Sequence, residues 1–193
     1  MTTVSPRYLI LPGWQGSGRY HWQSHWQRLL PGAQRVEQAD WHLPRRADWV
    51  NALDRCIAAQ PGPVILIAHS LGCITVAHWA AQATPALRAR VQGALLVAPA
   101  DVERDGCPAP LQNFAPIPRQ PLGFASLVIG STNDRAASAG RALTLADSWA
   151  SQAIILEQAG HINTEAGYTR WEEGFAYLYQ LQNLIEKQQR RWA

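Results

Sequence analysis

The chain has 193 residues, enough for one domain with a sizeable core, and its 47% hydrophobic and 16% charged residues describe an ordinary globular protein rather than a disordered one. The net charge of +3 gathers largely at Lys187, Arg190 and Arg191, which reads as a solvated helix end; no basic stripe with interleaved aromatics is present, which argues against a nucleic-acid partner. Met1–Arg7 lacks the features of a secretory leader, no apolar run nears the roughly 20 residues that span a bilayer, and the three cysteines (Cys56, Cys73, Cys107) form no pair or metal spacing, so the expectation is a soluble cytoplasmic protein with no membrane partner.

Tyr8–Leu11 reads as a first strand, closed by Pro12-Gly13. Trp22, Trp26, Leu29 and Leu30 then recur at helical spacing, and Pro31-Gly32 stops that helix. Gln34–Gln38 is a half-polar strand, expected at an outer position. Asp48 is placed to cap a helix whose buried face is Trp49, Leu53, Cys56 and Ile57, ended by Pro61-Gly62-Pro63. Val64–Ala68 is a continuous, β-branched-rich run, as in a strand buried on both faces of a parallel sheet. A helix over Leu71–Gln82 follows, then a strand at Val91–Val97. Leu127–Gly130 is the next strand, Leu143, Ala146 and Trp149 mark a helix, and Ile154–Leu156 is the last strand. Trp171, Phe175, Leu178, Leu181 and Ile185 line one face of a C-terminal helix, which Thr169-Arg-Trp-Glu172 would open as a capping box. Strands separated by helices imply parallel βαβ units: a single-domain α/β fold, residues 1–193, with about six parallel strands in a doubly wound sheet and helices on both faces. Asp101–Phe124 breaks the alternation. It holds Pro108, Pro110, Pro116, Pro118 and Pro121, and a long excursion at a strand's carboxyl end is a candidate for shaping a ligand site.

The chemistry gathers around Val64-Ile-Leu-Ile-Ala-His-Ser70-Leu-Gly72, a strand, a small-residue turn and a helix. That is the context of a nucleophile elbow, in which small residues two before and two after the serine let strand and helix pass closely. Ala68 stands where glycine is usual, and a serine capping an ordinary helix would give much the same pattern. A serine nucleophile needs a histidine base, and the base a carboxylate. Of the histidines after Ser70, His78 lies inside the following helix, whereas His161 lies in the loop after the last strand. Asp101 and Asp134 both end strands. Asp134 is preferred, because it belongs to the strand directly before the histidine strand and sits in a short turn. The oxyanion would be held by the backbone N–H of Leu71, at the helix start, and that of Trp14, after the glycine that turns the chain.

Pro12-Gly13-Trp14, His21-Trp22, Asp40-Trp41, Trp49, Ala68-His-Ser-Leu-Gly72, Phe114-Ala-Pro-Ile-Pro118, Ser131-Thr-Asn-Asp134, Gly160-His-Ile-Asn163 and Trp171-Glu-Glu-Gly174 all occur in this chain. Together they resemble the small serine hydrolase family that includes the retinoblastoma-binding protein and its bacterial relatives, over almost the whole length. The resemblance implies a minimal α/β-hydrolase without a lid domain, a triad of Ser70, Asp134 and His161, and hydrolysis of carboxylic esters or related acyl compounds without a cofactor. A second reading is a protein-binding module on a hydrolase scaffold, since the family's name records a protein partner, although no residue pattern marks a partner surface.

Two other motifs are set aside. Gly16-Ser-Gly18, with Asp40 about 20 residues on, resembles a dinucleotide fingerprint, but His21 stands at the third glycine. His21 and His25 are four apart, but no third metal ligand accompanies them. Trp14 and Trp41 are candidates to line the acyl pocket, and Cys73 reads as an inert buried thiol.

Overall fold

Along each inner strand the apolar side chains alternate between two cores. The computed structural model describes residues 6–191, and within them Leu9, Leu66, Leu96 and Val128 point to one side while Ile10, Ile67, Leu95 and Ile129 point to the other. A sheet so buried on both faces must be covered on both. The strands are β1 (Arg7–Leu11), β2 (Gln34–Arg35), β3 (Val64–His69), β4 (Val91–Val97), β5 (Ala125–Ser131) and β6 (Gln152–Leu156). All are parallel, in the order β2-β1-β3-β4-β5-β6. The helices are α1 (Trp22–Leu29), α2 (Arg46–Ala58), α3 (Leu71–Gln82), the short α4 (Pro85–Arg88), α5 (Ala139–Ser148) and α6 (Gly174–Arg191). The cores of α1 and α6 lie on one face; those of α2, α3 and α5 lie on the other. This is the expected α/β-hydrolase fold. The strand order reverses at β1 and β3, so their carboxyl ends flank the crevice where such sheets bind ligands.

Four local expectations need correction. β2 is only two residues long, although it is the outer strand that its half-polar sequence predicts. Asp48 does not cap α2: the helix starts earlier, where Asn113 Oδ1 accepts from the Arg46 N–H at 2.8 Å, and Asp48 lies in the first turn. Leu29 and Leu143 are exposed; α5 buries Ala142, Leu145 and Ala146 instead. The capping box at Thr169–Glu172 does not form, and α6 begins at Gly174. Trp171 adopts φ +48° and turns its indole into a cluster with Trp22 and Trp26, ring centroids 5.0 and 5.7 Å away. Burying that ring outweighs a cap worth about 1 kcal/mol. The residues Met1–Ser5, used above against a leader, and the side chain of Arg191 lie outside the described residues.

The proline-rich excursion is packed rather than loose. Residues Ala109–Phe114 form a 3-10 turn, and Leu111, Phe114, Ile117 and Leu122 are buried in the α2–α3 core. His78 Nε2–H donates to the Phe114 carbonyl at 2.7 Å, which ties α3 to that turn. Among the described residues no helix is long and apolar enough to cross a membrane.

Candidate active site

Strand β3 is buried at all six positions and ends in a reversal at Ser70, with φ +53° and ψ −119°. A non-glycine residue there carries strain of about 1–3 kcal/mol, which the surroundings must hold. The Ser70 N–H donates to the Val97 carbonyl at 2.9 Å, and its carbonyl accepts from the Cys73 N–H at 3.0 Å. Helix α3 leaves the turn so close to β1 that a Cβ on Gly72 would lie 2.4 Å from the Leu11 carbonyl oxygen. Ala68, which stands where glycine is usual, has its methyl accommodated fully buried in the α2–α3 core.

Ser70 Oγ lies 2.9 Å from His161 Nε2, and His161 Nδ1 lies 2.8 Å from Asp134 Oδ2. An ionised carboxylate only accepts, so Nδ1 carries the proton, Nε2 has the free lone pair, and the serine hydroxyl donates to it. The other carboxylate oxygen of Asp134 accepts from the Ala136 N–H at 2.7 Å, and the side chain is 2% exposed. Asp101, the other candidate, ends far from this role. It pairs with Arg141 at 3.1 Å and accepts from the Glu103 N–H.

The turn after β5 grips the histidine loop residue by residue. Thr132 Oγ1 accepts from the Gln158 N–H, Ser131 Oγ from Ala159, and Asn133 Oδ1 from Gly160 at 2.6 Å, and Asp134 takes the ring of His161. Sequence reasoning reached Asp134 but missed the roles of its three neighbours. Their signal was present: three consecutive short polar side chains directly after a buried strand.

Gly13 packs directly on the serine; a Cβ there would lie 2.7 Å from Ser70 Cβ. The chain then turns, the Gly16 N–H donating to the Gly13 carbonyl and the Gln15 N–H to the Trp41 carbonyl. Among the described residues no acceptor engages the Trp14 N–H or the Leu71 N–H. The Trp14 indole donates to the His42 carbonyl at 2.9 Å, and Trp41 stacks edge-on to Trp49. Both rings are half-buried and pack against the α2–α3 core.

His21 and His69 lie beside His161. Their ring centroids are 4.9 Å apart, and His69 is 4.9 Å from His161. Burial, with Arg35 and His161 nearby, pushes the pKa of His21 down to about 4, and burial pushes that of His69 well below the ordinary value. Both rings are therefore neutral at neutral pH. His21 precedes α1 and caps it, Nδ1 accepting from the Gln23 N–H, so it does not share a helix face with His25. That ring also occupies the helix N-terminus a pyrophosphate would need. Burial raises the Cys73 thiol pKa, and the thiol donates to the Val97 carbonyl. A cavity of about 500 Å³ opens on the Asp134–His161 side, lined by Arg104, Asn133, Arg135 and Glu165 among others. Arg104 is the only lining residue drawn from the proline-rich excursion.

A family model described as serine hydrolase matches residues 8–180. A YdeN-like hydrolase from Pectobacterium atrosepticum is similar in structure, with 34% sequence identity over 93% of this chain and 91% of that one, and a TM-score of 0.80. The ydeN gene product of B. subtilis covers 93% of this chain and 100% of its own at 19% identity and a TM-score of 0.69. The esterase domain of a Rhodothermus marinus protein covers 94% of this chain and 89% of its own at 15% identity, with a TM-score of 0.65. At such identities the last two speak for the fold alone. No curated protein matches by sequence.

Proposed function

Because the chain belongs to the serine hydrolase family, we propose that it hydrolyses carboxylic esters or related acyl compounds through an acyl-enzyme on Ser70. The observation that carries this reading is the unbroken hydrogen-bond line Ser70–His161–Asp134, each link within 3 Å. Ser70 Oγ attacks the acyl carbonyl as its proton passes to His161 Nε2. Asp134 keeps Nδ1 protonated and stabilises the imidazolium. The oxyanion settles on the Leu71 and Trp14 N–H groups. The Leu71 donor sits at the positive end of α3, and the Trp14 donor follows the glycine packed on the serine. His161 returns the proton to the leaving group, and water then releases the acyl group by the same steps. The partner this chemistry requires is a small acyl compound; no step calls for a metal or cofactor.

Labelling by a fluorophosphonate tests the reading. Wild-type protein should label at Ser70, and folded wild-type protein that stays unlabelled would overturn it. Ser70→Ala should lose at least about 10⁴-fold in kcat for ester cleavage, with Tm unchanged. A panel of ester chain lengths against both proteins would identify the preferred acyl group.

A further inference from the structure

We propose that His69 is a positioning residue for the base, its ring N–H holding the main chain of His161 against the strand that carries Ser70 while the Trp22 indole holds the next carbonyl. The proposal rests on the serine hydrolase reading above.

His69 is the last residue of β3, adjacent to the nucleophile. Its Nε2 lies 2.9 Å from the carbonyl oxygen of His161. A carbonyl only accepts, so Nε2 carries the proton. One residue on, Trp22 Nε1–H donates to the Ile162 carbonyl at 2.9 Å, in a buried position. Both donors are rigid rings locked by packing. His69 lies edge-on to His21, and Trp22 stands edge-on to His69 at 6.0 Å and 89°.

The loop needs this hold. Ile162 adopts φ +47°, a left-handed conformation that costs a β-branched residue about 1–2 kcal/mol. Such a residue persists only where its surroundings over-determine it. The turn 131–134 binds residues 158–161 from one side; His69 and Trp22 take the carbonyls of 161 and 162 from the other. Asp134 alone fixes one atom of the imidazole. The bond from His69 also fixes the main chain from which the ring hangs, so base and nucleophile are referred to one strand end. Because burial keeps His69 neutral, the clamp sets no like charge beside the imidazolium that forms at His161.

His69→Phe keeps a ring of similar size and deletes the donor, and His69→Gln returns an N–H at a similar reach. His69→Phe should lower kcat about 10- to 100-fold, as misplacing a reacting group does. KM should stay within about twofold, and fluorophosphonate labelling of Ser70 should slow by the same factor as kcat. His69→Gln should recover most of both rates. Trp22→Phe should lower kcat in the same direction with KM unchanged, and it carries the test should His69→Phe fail to fold. A folded His69→Phe with wild-type kcat and labelling, a loss confined to KM, a His69→Gln as slow as His69→Phe, or a Trp22→Phe with unaltered kcat would each overturn the clamp. Wild-type protein that does not label would overturn the hydrolase reading instead, so the two failures are separable.

Discussion

Two segments leave the carboxyl ends of neighbouring strands, the long excursion Asp101–Phe124 after β4 and the short turn 131–134 after β5, and each begins or ends with an aspartate. In the turn, every polar side chain from Ser131 to Asp134 engages the loop that carries His161. In the excursion, most apolar side chains turn inward, and its polar groups bond mainly to neighbouring segments such as α5 and the Ala136 carbonyl. Phe114 is fully buried, Glu103 accepts from the Ile117 N–H and pairs with Arg119 and Arg141, and Asp101 joins the same ion-pair group. The excursion therefore works chiefly as a cover for α2 and α3, the turn as a mount for His161. A carboxylate becomes useful to an imidazole through short, fully determined geometry. Segment length carries no such information.

Substitutions in the two segments should separate these roles. The largest effect is expected at Asp134→Asn, which should lower kcat about 10⁴-fold by favouring the wrong imidazole tautomer, with Tm little changed; an ester assay beside thermal unfolding checks both. Phe114→Ala should leave kcat per folded molecule intact and cost about 3–5 kcal/mol of stability through the cavity it opens, read by urea unfolding. Against this, a smaller effect comes from pH. His21 is held neutral in the fold and binds a proton more readily when unfolded, so its contribution is present above pH 6.5 and is lost as pH falls from 6.5 through about 4. The loss amounts to about 3 kcal/mol. Urea unfolding between pH 7 and 4 should show it, and His21→Gln should lessen the slope, leaving the part that buried His69 contributes in the same direction. The smallest effect is expected at Asp101→Asn, with kcat within about twofold and about 1 kcal/mol of stability lost, since Arg141 keeps Glu103 as a partner. A large kcat loss at Asp101 would collapse the distinction between the two segments.

Most of the fold is legible from periodicity. Continuous β-branched runs such as Val64–Ala68 have one outcome in an α/β chain, and helical spacing marks the buried face of α2. The elbow at Ser70 was legible too, because strand, small-residue turn and helix form a local pattern. The starts of α2 and α6 were not. The first turn of α2 depends on Asn113, distant in sequence, and that of α6 on where Trp171 finds its ring partners.

Taken alone, the chain's order of residues determines the alternation of strands and helices, the elbow at Ser70, and a histidine and an aspartate at later strand ends, because each leaves a local pattern of residue types. The sequence preferred Asp134 to Asp101; tertiary structure added the contact itself, since the register of β5 on β6 brings Asp134 to His161 while Asp101 pairs with Arg141. It alone also revealed His69 and Trp22 beneath the histidine loop. Those bonds join residues about 90 and 140 positions apart, and a hydrogen bond between such distant residues leaves no periodicity to read.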